Sequence, residues 1–162
     1  CSPGEARDAI NWRVLLMIGA ALGVGRALDQ SGAASSLANG LLSILQPLAP
    51  TLGPRIILAG IYLVSMIVTS IIGPIGTVAM IFPIAMEICQ QQGYQFMSFA
   101  IAMMMTAGAS YATPTGYQTN LMVYAVGGYR FTDFVRIGLP LNFLVMIVTV
   151  TLAPMIWPIL PS

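Results

Sequence analysis

The chain has no lysine and no histidine, and its six basic residues are all arginine, set against five carboxylates. Without histidine there is no imidazole to ligate a transition metal or to act as a general base near neutral pH. Charged residues make up 7% of the sequence, against about 25% in a soluble domain. With a net charge of +1 and no basic cluster, the field needed to hold nucleic acid is missing. Two cysteines cannot build a disulfide framework: Cys1 is terminal, and Cys89 sits in an apolar run where a small hydrophobe serves equally well. Asp8, Asp29 and Asp133 all lie at loops or run ends, which leaves no acid–base pair inside an apolar segment and ranks an enzyme low.

What is present is apolar. Hydrophobic residues are 57% of 162 and the mean hydropathy is +0.87, more apolar surface than a soluble fold of this length can bury. The sequence therefore predicts an all-α integral membrane protein. Its start, Cys-Ser-Pro-Gly, is not an initiator sequence, and no basic segment with a cleavage site precedes the first apolar run. A piece of a longer chain, and no signal peptide, is the expectation.

Along the chain, Trp12–Leu28 reads as a first span, entered through an interfacial Trp-Arg pair. Residues 33–48 carry Leu37, Leu41, Leu42 and Leu45 at helical spacing among polar residues and read as an amphipathic interfacial helix. Proline-marked turns at Gln46-Pro47 and Gly53-Pro54 close it. Residues 56–89 are two apolar runs separated by Gly73-Pro74-Ile75-Gly76, and the second run, Thr77–Cys89, is too short to cross about 30 Å of hydrocarbon. The pair predicts a re-entrant helical hairpin with its tip at 73–76. Residues 96–126 form a span broken by Thr113–Asn120, "TPTGYQTN", and 134–154 is the last span. Arg130 and Arg136 on the loop before it predict a cytoplasmic loop and an external C-terminus.

Irregular backbone is tolerated in hydrocarbon only where protein or a cavity surrounds it. Two breaks in one short chain therefore predict a site near the midplane, of the kind secondary transporters build from discontinuous helices. Freed carbonyls suit a cation, exposed helix N-termini suit an anion, and nearby hydroxyls add ligands: Thr69, Ser70 and Thr77 at the first break, Thr113, Thr115 and Thr119 at the second. An oxygen-only set favours a hard cation such as Na⁺. The first break read alone is balanced between a kink and a site. Eight residues of mixed polarity make the second a functional loop.

The stretch "ATPTGYQTNLMVYAVGGYRFTDFVRIGLPLN" resembles the C-terminal end of bacterial permeases of the divalent anion–sodium symporter family, also called solute carrier family thirteen. "NWRVLLMIGAALGVGRALDQSG" is similar to the helix that opens that family's second inverted repeat, so the resemblance covers nearly the whole chain. It implies a re-entrant hairpin packed against an unwound transmembrane helix, which together hold one Na⁺ and half of the anion site. By position, the Na⁺ residues implied are Thr69, Gly73, Pro74, Thr77, Ala112, Thr113 and Pro114. The implied anion residues are Gly73, Pro74, Ile75, Gly76, Thr113, Pro114 and Asn120. Gly73-Pro74-Ile75 replaces the family's Ser-Asn-Thr and removes its side-chain oxygens, leaving backbone carbonyls and N–H groups at the tip. The family's site needs two repeats, so a partner half carrying the first repeat is implied, and a homodimer is compatible.

Elsewhere bland readings prevail. Arg26 and Asp29 read as an interfacial charge pair able to snorkel, and Glu87 as an acid reaching water near Gln90-Gln91-Gln92. Met103-Met104-Met105 reads as adaptable packing, and Tyr129, Arg130 and Trp157 as interface anchors. The expected function is secondary transport of a small anion, dicarboxylate or sulfate-like, coupled to Na⁺, in a multi-pass protein of a bacterial inner membrane, with no other cofactor. A non-transporting remnant or assembly subunit is the rival, and an arsenite-type efflux permease stays open on fold alone.

Overall fold

The computed structural model describes residues 12–48 and 53–160. Cys1, Asp8 and the chain's start lie outside them. Every regular element among the described residues is helical: α1 (Trp12–Gln30), α2 (Ala33–Leu45), α3 (Arg55–Ile72), α4 (Pro74–Gln92), α5 (Phe96–Gly108), α6 (Gln118–Gly127) and α7 (Phe131–Ile156), with a 3₁₀ turn at Gln46–Leu48. Two of them, α3 and α7, are long and apolar enough to cross a membrane.

The centre of the molecule is α4, which packs against α1, α2, α3 and α5, while α7 lies along α3 and α5. One apolar cluster joins Ile57, Leu58 and Ile61 of α3, Ala85 and Ile88 of α4, and Phe99 of α5. On α2 the buried face is Ala34, Ala38 and Leu42, whereas Leu37 is exposed. Small residues let two helix backbones approach closely where the apolar solvent supplies no force to press larger ones together. Three of the four spaced leucines, Leu41, Leu42 and Leu45, join the alanines in that contact. Beyond α7, Ile159 accepts a hydrogen bond from the Gln95 N–H at 2.7 Å, and the Trp157 carbonyl accepts one from the Ser98 hydroxyl. The tail of α7 is thus tied to the start of α5.

Helices α3 and α4 are separated by Gly73 alone, with φ 80° and ψ 175°. Pro74 already occupies the first turn of α4, a position where its missing N–H costs nothing and its fixed φ suits the helix. For that reason the second arm starts at Pro74 and runs to Gln92, longer than the apolar run Thr77–Cys89 on its own indicates. A Cβ at Gly73 would meet only the Gly116 carbonyl, at an ordinary 3.6 Å. Conformation, rather than space, requires glycine there. Gly73→Ala is therefore expected to cost about 1–3 kcal/mol, read as a lower thermal midpoint of the purified protein; an unchanged midpoint would show that the chain reversal tolerates a side chain.

Candidate functional site

The two breaks meet. Between α5 and α6 the chain is non-helical over residues 109–117, and its Thr113 hydroxyl donates to the Ser70 carbonyl at 3.0 Å, near the end of α3. Gly116 faces Gly73. Contact between residues more than forty positions apart thus joins the chain reversal to the non-helical segment between α5 and α6.

Each side of the junction is held by its own bonds. At the reversal, the Gly73 N–H donates to the Thr69 carbonyl at 3.0 Å. The Gly73 carbonyl accepts from the Thr77 N–H at 3.1 Å and from the Thr77 hydroxyl at 2.8 Å. In the interrupted helix, the Asn120 amide donates to the Ser110 carbonyl at 2.6 Å and to the Thr113 carbonyl at 3.3 Å. Asn120 therefore braces the irregular segment from the first turn of α6. On the other side, α7 presses Gly138 against this segment, so close that a Cβ there would collide with the Tyr111 carbonyl and lie 2.7 Å from the Ala112 Cα.

The residues singled out by sequence at the two breaks have different surroundings. Thr69, Thr77, Ala112, Pro114 and Gly116 are buried; Thr113, Gly73, Pro74 and Gly76 are half-buried; and Ile75, Thr115 and Thr119 are exposed. Two hydroxyl oxygens at the junction, Thr69 Oγ1 and Ser110 Oγ, are buried without a hydrogen-bond partner. Such a group is costly to leave unmade. Ser110 was not among the residues the sequence indicated. Its only signal was position, two residues after Gly108, in a stretch without proline that reads as more helix.

Open cavities flank the junction. One of about 580 Å³ is bounded by Ile18, Leu22 and Arg26 of α1 and by Pro74 and Ile75 of α4. The second, about 680 Å³, lies between Tyr111, Asn120, Asp133, Arg136 and Gly138. One arginine lines each of them, Arg26 the first and Arg136 the second. Arg26 thus lines the same cavity as Pro74 and Ile75 of the chain reversal, a placement its interfacial reading did not include. The Asp133 carboxylate accepts the Arg130 N–H at 2.8 Å and caps the start of α7, where the helix dipole favours a negative charge. Glu87 accepts from Gln91 at 2.9 Å, one turn along the same helix, in keeping with the bland reading. Of the methionine run, Met103 is buried in the core, and Met104 is 68% exposed.

Neutral hydroxyls and carbonyls can hold a dehydrated hard cation, and no group of three or more His, Cys, Asp or Glu that could hold a metal ion occurs among the described residues. An apolar, all-helical arrangement whose helix ends meet through such groups has the features of membrane transport proteins. Sequence comparison gives the family: the chain belongs to the citrate transporter family, CitMHS, which matches residues 1–108.

The chain is 35% identical over 160 residues to an uncharacterized transporter of Synechocystis sp., covering 99% of this chain and 26% of that protein. It is 37% identical over 144 residues to sodium/sulfate cotransporter 2 of Chlamydomonas reinhardtii, covering 89% of this chain and 16% of the relative. An uncharacterized transporter of Escherichia coli is 29% identical over 154 residues, covering 95% and 25%. The chain therefore spans about a quarter or less of these relatives. The family and relatives are transporters, not enzymes, and the chain is an integral membrane protein of an anion-transporter family. No solved structure matches it significantly.

Proposed function

We propose that this chain is the second-repeat part of a secondary transporter that moves a small dianion, dicarboxylate or sulfate-like, together with Na⁺. The observation that carries the reading is the pair of unpartnered, buried hydroxyl oxygens, Thr69 Oγ1 and Ser110 Oγ, at the junction of two helix interruptions. A neutral oxygen set in a low-dielectric setting fits a hard monovalent cation, whose charge then favours an anion beside it. Thr69 and Thr77 hydroxyls and the backbone of Gly73, Pro74 and Ala112–Pro114 would hold Na⁺. The N–H groups at the start of α4, with Arg26 across the cavity, would face the anion. Relatives named as sodium/sulfate cotransporters support the pairing of ion and anion.

In this reading α3 and α4 form a re-entrant hairpin, and α5 and α6 are two halves of one unwound span. A first repeat, in the same protein or a partner, supplies the rest of the site, and a homodimer in a bacterial inner membrane is the setting. Alternating access follows from rigid movement of this unit against its partner half.

The test is uptake of labelled sulfate, succinate and citrate into proteoliposomes by the full-length protein that contains this chain, with and without an inward Na⁺ gradient. Gradient-driven uptake of at least one dianion is expected. No uptake and no cation response in correctly inserted protein would favour the non-transporting remnant. Arg26→Gln is expected to weaken anion affinity by about tenfold, the scale of 1.4 kcal/mol, with Na⁺ half-saturation nearly unchanged. Equal affinity in the variant would leave Arg26 an interfacial residue.

A further inference from the structure

The last helix carries a group that neither break accounts for. Asn142, in the middle of α7, is 0% exposed, and neither its Nδ2 nor its Oδ1 has a hydrogen-bond partner. A buried carboxamide in an apolar helix is expected to be partnered. Pro140 nearby could free a carbonyl for it, but no such bond forms.

Its level follows from two fixed points. At one, Gly138, a single turn before Asn142, touches the backbone of Tyr111 and Ala112, in the segment whose Thr113 binds Ser70 of α3. At the other, the Tyr62 hydroxyl of α3 faces the hydroxyls of Thr106 and Thr149, although none of them meets it in hydrogen-bond geometry. Helices α3 and α7 therefore run antiparallel. Two turns along α3 from Tyr62 lead to Thr69, and two turns back along α7 from Thr149 lead to Asn142. Both steps cover about 10.5 Å at 1.5 Å per residue. Asn142 thus comes level with Thr69, whose hydroxyl is likewise unpartnered. The buried face of α7, Gly138, Asn142, Thr149 and Ala153, packs along α3 and α5.

We propose that Asn142 is a further cation-binding residue: its Oδ1 joins the unpartnered Thr69 and Ser110 hydroxyls as a further neutral side-chain oxygen around a Na⁺-class ion, so that α7 is part of the cation site. The inference rests on the transport reading above. A cation ligand from α7 accounts for the buried, open Oδ1, and it gives the last span, which carries no break, a direct stake in ion selectivity. A carboxamide oxygen and two hydroxyls provide no net charge, which suits a monovalent ion better than a divalent one.

The experiment uses the full-length protein in proteoliposomes and measures sulfate uptake against external Na⁺ and Li⁺ for the parent and for Thr69→Val, Asn142→Leu, Asn142→Ser and Asn142→Asp. Asn142→Leu is expected to raise half-saturating Na⁺ at least tenfold. Anion KM at saturating Na⁺ should stay within twofold. Asn142→Asp should alter the Na⁺/Li⁺ preference several-fold, and Asn142→Ser should fall between Leu and the parent. If Na⁺ half-saturation and Na⁺/Li⁺ preference are unchanged in the Leu and Asp variants while Thr69→Val shifts them, Asn142 is not a ligand and the cation site survives without it. If the parent shows no Na⁺ dependence, both the transport reading and this proposal fail. Should the Leu variant not insert, the Asp variant decides, because a purely packing role would not move cation preference.

Discussion

Gly138→Ala is expected to reduce uptake by the full-length transporter at least tenfold and to lower its thermal midpoint. The added methyl would collide with the carbonyl of Tyr111 and crowd the Ala112 Cα. Backbone cannot rotate aside as the end of a flexible side chain can, so either α7 moves outward or the irregular segment shifts. Overpacking of this kind costs about 1–3 kcal/mol. The larger effect is on function, because the displaced backbone is the one that carries Ser110, Ala112 and Thr113 into the junction. Gly40→Ala is the matched control: nothing lies within 4 Å of a Cβ there, and replacing a helical glycine with alanine is neutral or stabilising by about 0.4–1 kcal/mol. Equal uptake by the two variants would show that the close approach of α7 has no bearing on the site.

The second large effect is expected at Thr113. Thr113→Val keeps the shape and removes the donor to the Ser70 carbonyl, a side-chain hydrogen bond between the two interruptions. Leaving an acceptor unmade costs up to about 1–3 kcal/mol where it is buried; this one is part-buried, and the junction loses that side-chain tie. Uptake is expected to fall about tenfold or more, whereas Met104→Ala, at a 68% exposed position, should stay within twofold of the parent. Proteoliposome uptake normalised to inserted protein checks both. Similar losses in the two variants would argue against a site at this junction.

Much of this arrangement was legible in the sequence, and the reasons are local. Glycine followed by proline at 73–74 ends one helix and starts the next whatever surrounds it, because one residue supplies a backbone conformation closed to others and the other a preset φ. "TPTGYQTN" announces a break by the same chemistry. The bounds were less legible. The helix stops at Gly108 rather than Ala112 although Ala109-Ser110-Tyr111 contains no breaker. The extended path there is held by Asn120 from one side and by the backbone contact of Gly138 from the other. It resumes at Gln118, inside the stretch that composition marks as loop. On α2, periodicity pointed to four leucines; packing kept Leu41, Leu42 and Leu45, left Leu37 exposed, and added Ala34 and Ala38.

By itself the sequence determined the environment, the helical class and the places where helices are interrupted. Composition sets the transfer energy into hydrocarbon, and glycine and proline act on their own backbone. Only the tertiary structure decided that the interruptions touch, that Ser110 and Asn142 are buried without partners, that Arg26 shares a cavity with the chain reversal, and that Gly138 admits no side chain. A serine or asparagine in an apolar run looks the same in sequence whether it faces water, lipid or another helix. Its meaning depends on what a distant segment places beside it.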